Sequence, residues 1–595
     1  MEVNQASDTK ITPMMQQFRS VKNKYPDCII FFRMGDFYEM FEDDAVAASK
    51  VLGIALTNRN KSSESSPPMC GIPYHSYQPY LNKLLSAGFK VAICEQLEDP
   101  SKTKTIVKRG VTRVITPGTV IEDDGIGSPG LNLLVSVGCG SAGFFCFISD
   151  VSTGDTFLFK TNQITEVLNK FNPRELIVDG KFKEDVNIPV FVIDKAFNKN
   201  LVMQKIIDLF NVNSPKSIGI IDDEFLIPVF YTIYYLEEMM LDVKLKKPIM
   251  LSNEDEVYVD SIAQRTLEIF KGGDGDGSAS LYNILNRCKT PMGERLLMIY
   301  LMTPTNNTSE IDERLDVVEY FFLNKGVREL LSEYLKNISD IERIMTRVVA
   351  GRASPRDILN LKNSISDFPS IKQLLLKSNF PIFLEYGELF DDLRDVYDYI
   401  DGVIADDAPV SIANAGVIKD GFSLEIDELR NLRKNSRSEL LKLEILEKEK
   451  TGITTLKVRY NKVFGYYIEI SKGQTKFVPE HYERKQTLVN AERYVTRELK
   501  KLENKILTAE DRLLELEKSI FGDVIEYLKG FYERIKIASE FIAKIDVLAG
   551  LGEVAEVNRY CRPVVTQGDE IKILDGRHPV VEAFLKDPFV PNDLF

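Results

Sequence analysis

The chain has no apolar run approaching the roughly 18 residues that a membrane-spanning helix requires. The longest candidate, Phe225 to Leu236, is interrupted by Pro228 and bracketed by Asp222, Asp223 and Glu224 on one side and Glu237 and Glu238 on the other. It is expected to be a buried core segment. The opening residues, MEVNQASDTK, lack the apolar core of a secretory signal, so the expected location is cytoplasmic, with no membrane partner. Cysteine is sparse: the seven residues at 28, 70, 94, 139, 146, 288 and 561 include no CxxC pair, which excludes a disulfide framework and zinc-site spacing. The three histidines, His75, His481 and His578, are too far apart in sequence to suggest a local ligand set. No GxxxxGK(S/T) loop occurs to cradle a phosphate, and no HExxH or Ser/His/Asp signature appears. Nothing identifies catalysis, and no metal site is expected.

What is present is 595 residues, 44% hydrophobic and 28% charged, the composition of a globular protein of about three to five domains. A net charge of −14 argues, taken alone, against a nucleic-acid partner. The average hides two basic stretches. Lys102, Lys104, Lys108, Arg109 and Arg113 occur between Ser101 and Arg113 without an acid, and Ile453 to Arg497 carries nine Lys and Arg against four Glu. Such patches on an acidic body can grip phosphate while the remaining surface repels it, although each alone could equally be a solvated charged face.

The first 125 residues alternate strand-like and helix-like segments, which predicts a small mixed α/β domain. Cys28 to Met34 reads as a strand, Gly35-Asp36 as a turn, and Phe37, Phe41, Ala45, Ala48 and Leu52 fall at helical spacing. Lys90 to Cys94 is another expected strand. Gly125 to Gly130 reads as a linker. Strand-like runs at 131–137, 143–149 and 156–159, a helix at 164–171 and a strand at 176–178 suggest a second domain over 126–253 with a ribonuclease-H-like layout. A nuclease would need several convergent carboxylates. The first of these strands has none, and Asp150 before Ser152-Thr153-Gly154 is more simply a turn residue. Beyond 254 the chain reads as helical. Gly272, Gly273, Gly275 and Gly277 with Asp274 and Asp276 imitate a calcium loop, but the twelfth position is Leu285 instead of Glu, so no ion is expected there.

Leu499, Leu502, Ile506, Ala509, Leu513, Leu516 and Ile520 form a heptad stripe, and Leu429, Leu432, Leu440, Leu443 and Leu446 mark a less regular partner helix. Between them lies β-like sequence, Leu456–Tyr460 and Phe464 to Ile470. Two long helices ending in a small basic β unit make a lever with a contact pad; a coiled-coil dimerisation arm is the other reading.

Two constellations carry functional alternatives. Asp36 could cap a helix with Glu39 at N3 and Phe37 opening its core stripe. Alternatively Phe37 is an exposed wedge that inserts between base steps from the minor groove, with Glu39 as a hydrogen-bonding partner. In the pad, Tyr460, Asn461, Lys462, Phe464, Tyr466, Tyr467, Arg484, Lys485, Gln486, Asn490 and Arg493 interleave cations, amides and aromatics that suit phosphate oxygens, unless the rings are the pad's own core.

Motifs distributed along the chain resemble the bacterial MutS family of DNA mismatch-recognition proteins. They are Phe32 to Glu39 (FRMGDFYE), Cys70 to His75 (CGIPYH), Val107 to Thr119 (VKRGVTRVITPGT), Asp150 to Gly154 (DVSTG), Thr290 to Gly293 with Arg295 to Leu297, Gly351 to Asp357 (GRASPRD), Tyr460 to Tyr467 (YNKVFGYY), Arg484 to Tyr494 (RKQTLVNAERY) and Gly576 to Val581 (GRHPVV). The resemblance implies a mismatch-binding domain at 1–125 and a connector at 126–253. It also implies a core and lever helical domain at 254–436 plus 498–557, a β-rich clamp at 437–497 inserted between the two lever helices, and the beginning of an ATPase domain at 558–595. Phe37 would stack on the mispaired base and Glu39 would hydrogen-bond to it. Lys108, Arg109, Asn461, Lys462, Arg484, Lys485, Gln486 and Asn490 would hold the DNA backbone. Phe589 resembles an aromatic that packs near adenine, although the Walker A loop is not among these residues. The chain is therefore expected to lack ATPase activity, with no cofactor of its own and as a monomer. The complete family protein would be a DNA-dependent ATPase using ATP and Mg2+, a homodimer, and a partner of a MutL-type repair protein. A structural DNA-junction or scaffold module without mismatch discrimination is the competing reading.

Overall fold

The computed structural model describes residues 12–58, 67–98, 106–121, 130–140, 143–251, 257, 259–272, 279–461 and 465–595. The glycine- and aspartate-rich stretch at 273–278, most of the expected linker, Lys102, Lys104, and Lys462 with Phe464 lie outside them. The chain forms two compact units. One comprises Met1–Arg352, Asp367–Asp392 and Glu533–Phe595; the other comprises Ala353–Ser366 and Leu393–Tyr532.

The first unit begins with α1 (Pro13–Lys24), β1 (Cys28–Met34), β2 (Phe37–Phe41), α2 (Glu42–Leu52), β3 (Thr57–Asn58), β4 (Pro68–Pro73), α3 (Gln78–Ser86), β5 (Lys90–Gln96) and β6 (Arg109–Ile115). The strands form one sheet in the order β3-β4-β2-β1-β5-β6. Only β1 and β5 run parallel, and these are the two apolar runs, since a central parallel strand is covered on both faces. Phe18 of α1 packs on Phe32 and Phe41 on one face. Ala45, Ala48, Leu81 and Leu84 of α2 and α3 cover Phe31, Tyr38 and Met40 on the other.

The helix expected to start at Phe37 starts at Glu42 instead. Residues 37–41 are strand, paired antiparallel with β1, so Asp36 is no helix cap and the stripe from Phe37 to Leu52 is not one face. Strand alternation decides it: Phe41 turns toward α1, Ala45, Ala48 and Leu52 line the opposite core, and Phe37 stays exposed.

Next come β7 (Leu133–Gly140), β8 (Gly143–Asp150), β9 (Thr156–Thr161), α4 (Ile164–Phe171), β10 (Glu175–Asp179), β11 (Val190–Ile193), α5 (Lys199–Phe210), α6 (Leu226–Glu238) and β12 (Ile249–Leu251). The second sheet has the order β11-β10-β7-β8-β9-β12, an antiparallel meander extended by parallel strands at both edges. The segment from Phe225 is buried, as expected, mostly as α6 against this sheet. Asp150 is the last residue of β8 and opens the turn that follows, its carbonyl accepting from Gly154 N (2.8 Å). Its carboxylate accepts from Asn132 N (2.9 Å), Ser152 N (2.9 Å) and Ser152 Oγ (2.6 Å). No cluster of three potential metal ligands occurs among the described residues.

The helical remainder of this unit is α7 (Ser261–Thr266), α8 (Leu281–Leu285), α9 (Pro291–Met302), α10 (Thr308–Leu323), α11 (Lys325–Leu335), α12 (Ile341–Val349), α14 (Phe368–Leu376), α15 (Pro381–Leu389), α19 (Tyr532–Asn558) and α20 (Pro579–Phe584), with the pair β17 (Ile573–Gly576) and β18 (Asn592–Leu594). Arg295 on α9, 1% exposed, donates to both Asp340 oxygens (2.6 and 2.7 Å) and to Glu342 (2.8 Å). Lys246 joins the network through Glu342 (2.7 Å) and Asp155 (2.9 Å). A buried charge without such partners would cost several kcal/mol, so this joint between the second sheet and the helices is specific. On α19, buried Asp546 accepts from Lys289 N (2.9 Å), Thr290 N (2.8 Å) and Thr290 Oγ1 (2.7 Å), clasping the start of α9.

The second unit contains α13 (Pro355–Ile365), α16 (Arg394–Val403), α17 (Leu424–Thr451), β13 (Lys457–Asn461), β14 (Gly465–Ser471), β15 (Glu483–Thr487), β16 (Ala491–Val495) and α18 (Arg497–Lys529). The 33 residues of α18 span about 50 Å. The strands form a four-stranded antiparallel sheet, β13-β14-β16-β15, between the two long helices in sequence. Leu440, Leu456, Ile468, Ile470, Leu499 and Ile506 share one core, so the pad is rooted in both helices. Along α18 the buried stripe differs from the expected one. Leu499, Ile506, Ala509 and Leu513 are buried, but Glu503, Glu517 and Phe521 take the places expected for Leu502, Leu516 and Ile520, which are half-buried.

Candidate nucleic-acid interface

Gly35 and Asp36 close the β1–β2 hairpin with only two residues between paired Met34 and Phe37. The primed turns of two-residue hairpins need a positive φ at the first central position, and Gly35 supplies it at +57°. Phe37 is thus the first residue beyond the turn, between Met34 on β1 and Pro73 on β4. Its side chain is 48% exposed. Glu39, two residues on, shares its face, because side chains alternate along a strand. Its neighbours across the sheet are Phe32 and Gly71. Gly71 contributes no side chain next to Glu39, and a Cβ added there would meet Tyr38 O at 3.5 Å and Glu39 Cγ at 3.6 Å, ordinary contacts.

Arg109 lies on the same face. Its guanidinium is 5.2 Å from the Phe32 ring centroid, and it donates to Arg33 O (2.7 Å), Val107 O (3.0 Å) and Gln17 Oε1 (3.3 Å). Burial lowers its pKa, while Cys94 and Glu39 oppose that shift. Through Nε and Nη1, Arg109 braces the sheet face from within the protein. Its neighbour Lys108 is the exposed cation of the pair, with Nζ 3.7 Å from Glu98.

The opposite face of the hairpin holds a network that sequence reasoning passed over. Arg33 Nε donates to Gly35 O (2.5 Å), its guanidinium lies 3.3 Å from the Tyr74 ring centroid, and its Nη1 is 3.6 Å from Glu95. Tyr38 donates its hydroxyl to the same Glu95, and Tyr74 N donates to Asp36 O (3.0 Å). The available signal was the pairing of an arginine just before a Gly-Asp turn with an aromatic after Ile72-Pro73.

In the pad, Arg484 and Lys485 are exposed on β15, near Glu492 (3.8 Å) and Glu483 (3.1 Å) respectively. Gln486 accepts from Arg493 Nη1 (2.8 Å), Asn490 is exposed in the β15–β16 connection, and Asn461 ends β13 opposite Gly465. The aromatics divide between the two readings. Tyr467 is buried beneath Arg493 (4.4 Å), whereas Tyr460 is 52% exposed. Three glutamates of the long helices hold the pad. Glu503 accepts from Tyr466 N (2.9 Å), Glu444 accepts from Val458 N (2.9 Å), and the Tyr482 hydroxyl donates to Glu447. Gly465, at φ +74°, has no room for a side chain, since a Cβ would stand 1.7 Å from Glu503 Oε1. Phe589, in the other unit, is half-exposed between α20 and β18.

Family comparison places this geometry. The profile of MutS domain I matches residues 12–124, and that of MutS domain III matches residues 263–552. The chain is 41% identical to the DNA mismatch repair protein MutS of Acetivibrio thermocellus, over 98% of this chain and 69% of that protein. Its identity to the MutS of Thermodesulfovibrio yellowstonii is 39%, over 100% and 70%, and to that of Caldanaerobacter subterraneus 40%, over 98% and 69%. The chain belongs to the MutS family. Within it, the β1–β2 hairpin falls in the part matching MutS domain I, and both long helices and the pad fall in the part matching MutS domain III.

Proposed function

We propose that this MutS-family chain recognises mispaired or unpaired bases in duplex DNA and so initiates mismatch repair. The observation that carries this is the placement of Phe37: a large ring, half exposed at a tight hairpin, with a carboxylate two residues along the same face. A ring held there can enter between base steps from the minor groove, and a mismatch costs less to unstack than a paired step. Glu39, repelled by phosphates, weakens general binding and gains only from a specific hydrogen bond to a base.

The domain reading follows the family resemblance: mismatch binding at 1–125, a connector at 126–253 whose strand order suits a ribonuclease-H-like layout, core and lever helices at 254–436 and 498–557, and the clamp at 437–497. Lys108, Arg484, Lys485, Asn461 and Asn490 would position the DNA backbone, and a MutL-type protein would follow as partner. ATP with Mg2+ and a homodimer belong to the family's longer proteins by resemblance. No phosphate-cradling motif occurs in these 595 residues, and Phe589 alone would offer only a stacking surface.

The test compares binding to a homoduplex and to a G·T duplex. Wild type should prefer the mismatch, and Phe37→Ala should lose about 1–3 kcal/mol of that preference, as for a base-stacking contact. Equal binding of both duplexes by wild type would favour the structural junction-binding reading instead.

A further inference from the structure

We infer that Arg33 and Tyr74 form a staple that positions Phe37, so that mismatch discrimination depends on a pair of side chains lying on the sheet face away from the wedge. The inference rests on the wedge reading of Phe37 and deepens it.

A two-residue hairpin is short of internal restraint. Its tip is joined to the sheet by the Met34–Phe37 and Phe37–Pro73 pairings, and Phe37 itself is too exposed to be fixed by packing. A ring that must enter a base step gains affinity only if its direction is set beforehand, because ordering it on binding costs free energy. The required restraint lies underneath. Arg33 reaches past its own strand end to Gly35 O, the carbonyl of the first turn residue. Its guanidinium carbon lies over the Tyr74 ring, 3.3 Å from the centroid, and the group also approaches Glu95, which takes a hydrogen bond from Tyr38, the residue next to Phe37. Tyr74 completes the loop from the other side, its backbone N–H donating to Asp36 O, the second turn carbonyl. The Gly35 carbonyl is therefore held by the Arg33 side chain, and the Asp36 carbonyl by the backbone of the residue on which that side chain stacks. The Arg33 side chain is only 17% exposed, so the contact is sheltered from solvent.

The chemistry requires arginine. A lysine can keep the charge near Glu95, but it has no plane to stack on Tyr74 and no second donor in a fixed fork. Arg33 is a positioning residue; it reaches no base, since it lies on the face opposite Phe37.

The test uses the full chain with Arg33→Lys, Tyr74→Leu, Tyr74→Phe and Phe37→Ala. Each is measured for homoduplex and G·T-duplex affinity, thermal melting, and amide hydrogen exchange of peptides covering residues 33–41 and 70–76. Arg33→Lys and Tyr74→Leu should each reduce the preference for the mismatch by roughly tenfold, leave homoduplex affinity within about twofold, and speed exchange in those two peptides alone. Tyr74→Phe, which keeps the ring, should behave as wild type. Unchanged exchange and discrimination in Arg33→Lys would overturn the staple. So would a loss of discrimination accompanied by faster exchange throughout the first sheet, which would mean a general folding defect. If Phe37→Ala keeps full discrimination, the wedge reading itself fails, while accelerated exchange at the hairpin in Arg33→Lys would still show the staple.

Discussion

Phe37 separates two predictions that share one residue. In a helix stripe its removal would leave a cavity costing about 3–5 kcal/mol. At an exposed hairpin position, Phe37→Ala should shift stability by about 0.5 kcal/mol or less, and thermal melting of the two proteins decides between them. Glu39→Ala should differ in kind, raising homoduplex affinity by removing a phosphate-repelling charge while narrowing discrimination; a fall in homoduplex affinity would contradict that role. The strand assignment of this segment was not legible from spacing alone. Phe37, Phe41, Ala45, Ala48 and Leu52 fit a helix by count, but β2 is five residues long and hands over to α2 at Glu42, so one run of apolar residues spans two elements. The Gly35-Asp36 turn was legible. A two-residue turn with glycine first, before alternating residues, fits a hairpin at least as well as a helix cap.

Among the elements, α18 shows what a heptad count can and cannot tell. The helix and its partner α17 follow from the leucines, because an apolar stripe over three heptads has few other uses. The identity of the seam residues does not. Glu517, 1% exposed, accepts from Gly416 N (2.7 Å) and Val417 N (3.2 Å) and pairs with Arg430 (2.6 Å). Buried backbone N–H groups of a neighbouring loop need acceptors, and no periodicity announces where such a loop will pass. Glu517→Ala would strand two N–H groups and an arginine, so it should destabilise the second unit by about 3–5 kcal/mol, read as an earlier unfolding transition. An unaltered transition would mean that water replaces the carboxylate. Of the second sheet, β7, β8, β9 and β10 were legible, since each is a short, buried apolar run, whereas the short edge strands β11 and β12 were not.

For the whole molecule, acidity and DNA binding are reconciled by location. The chain is 14 charges negative, yet Arg484 and Lys485 stand exposed on the pad. Arg484→Ala with Lys485→Ala should weaken every duplex about equally and reduce the slope of log affinity against log salt by roughly one unit for each phosphate left without its cation. An unchanged slope would remove both residues from the interface. Stability should carry its own pH signature through Asp546, whose carboxyl burial pushes up to about 6. A folded-state value above the unfolded one means that this contribution is full below about pH 3.8 and fades as pH rises to about 6, by about 3 kcal/mol. The stability difference between wild type and Asp546→Asn should therefore drift over that window and be flat above it. A difference constant from pH 4 to 7 would place the carboxyl at its ordinary value.

The half-exposed ring at the hairpin also has an optical consequence, because the chain contains no tryptophan. Phe37→Trp would install the molecule's sole indole at the point where a base is expected to stack. Excited at wavelengths the 24 tyrosines barely absorb, its emission would be quenched on contact with a nucleobase and would brighten again on release. Each wedging event would then be followed in real time, with no label attached to the DNA.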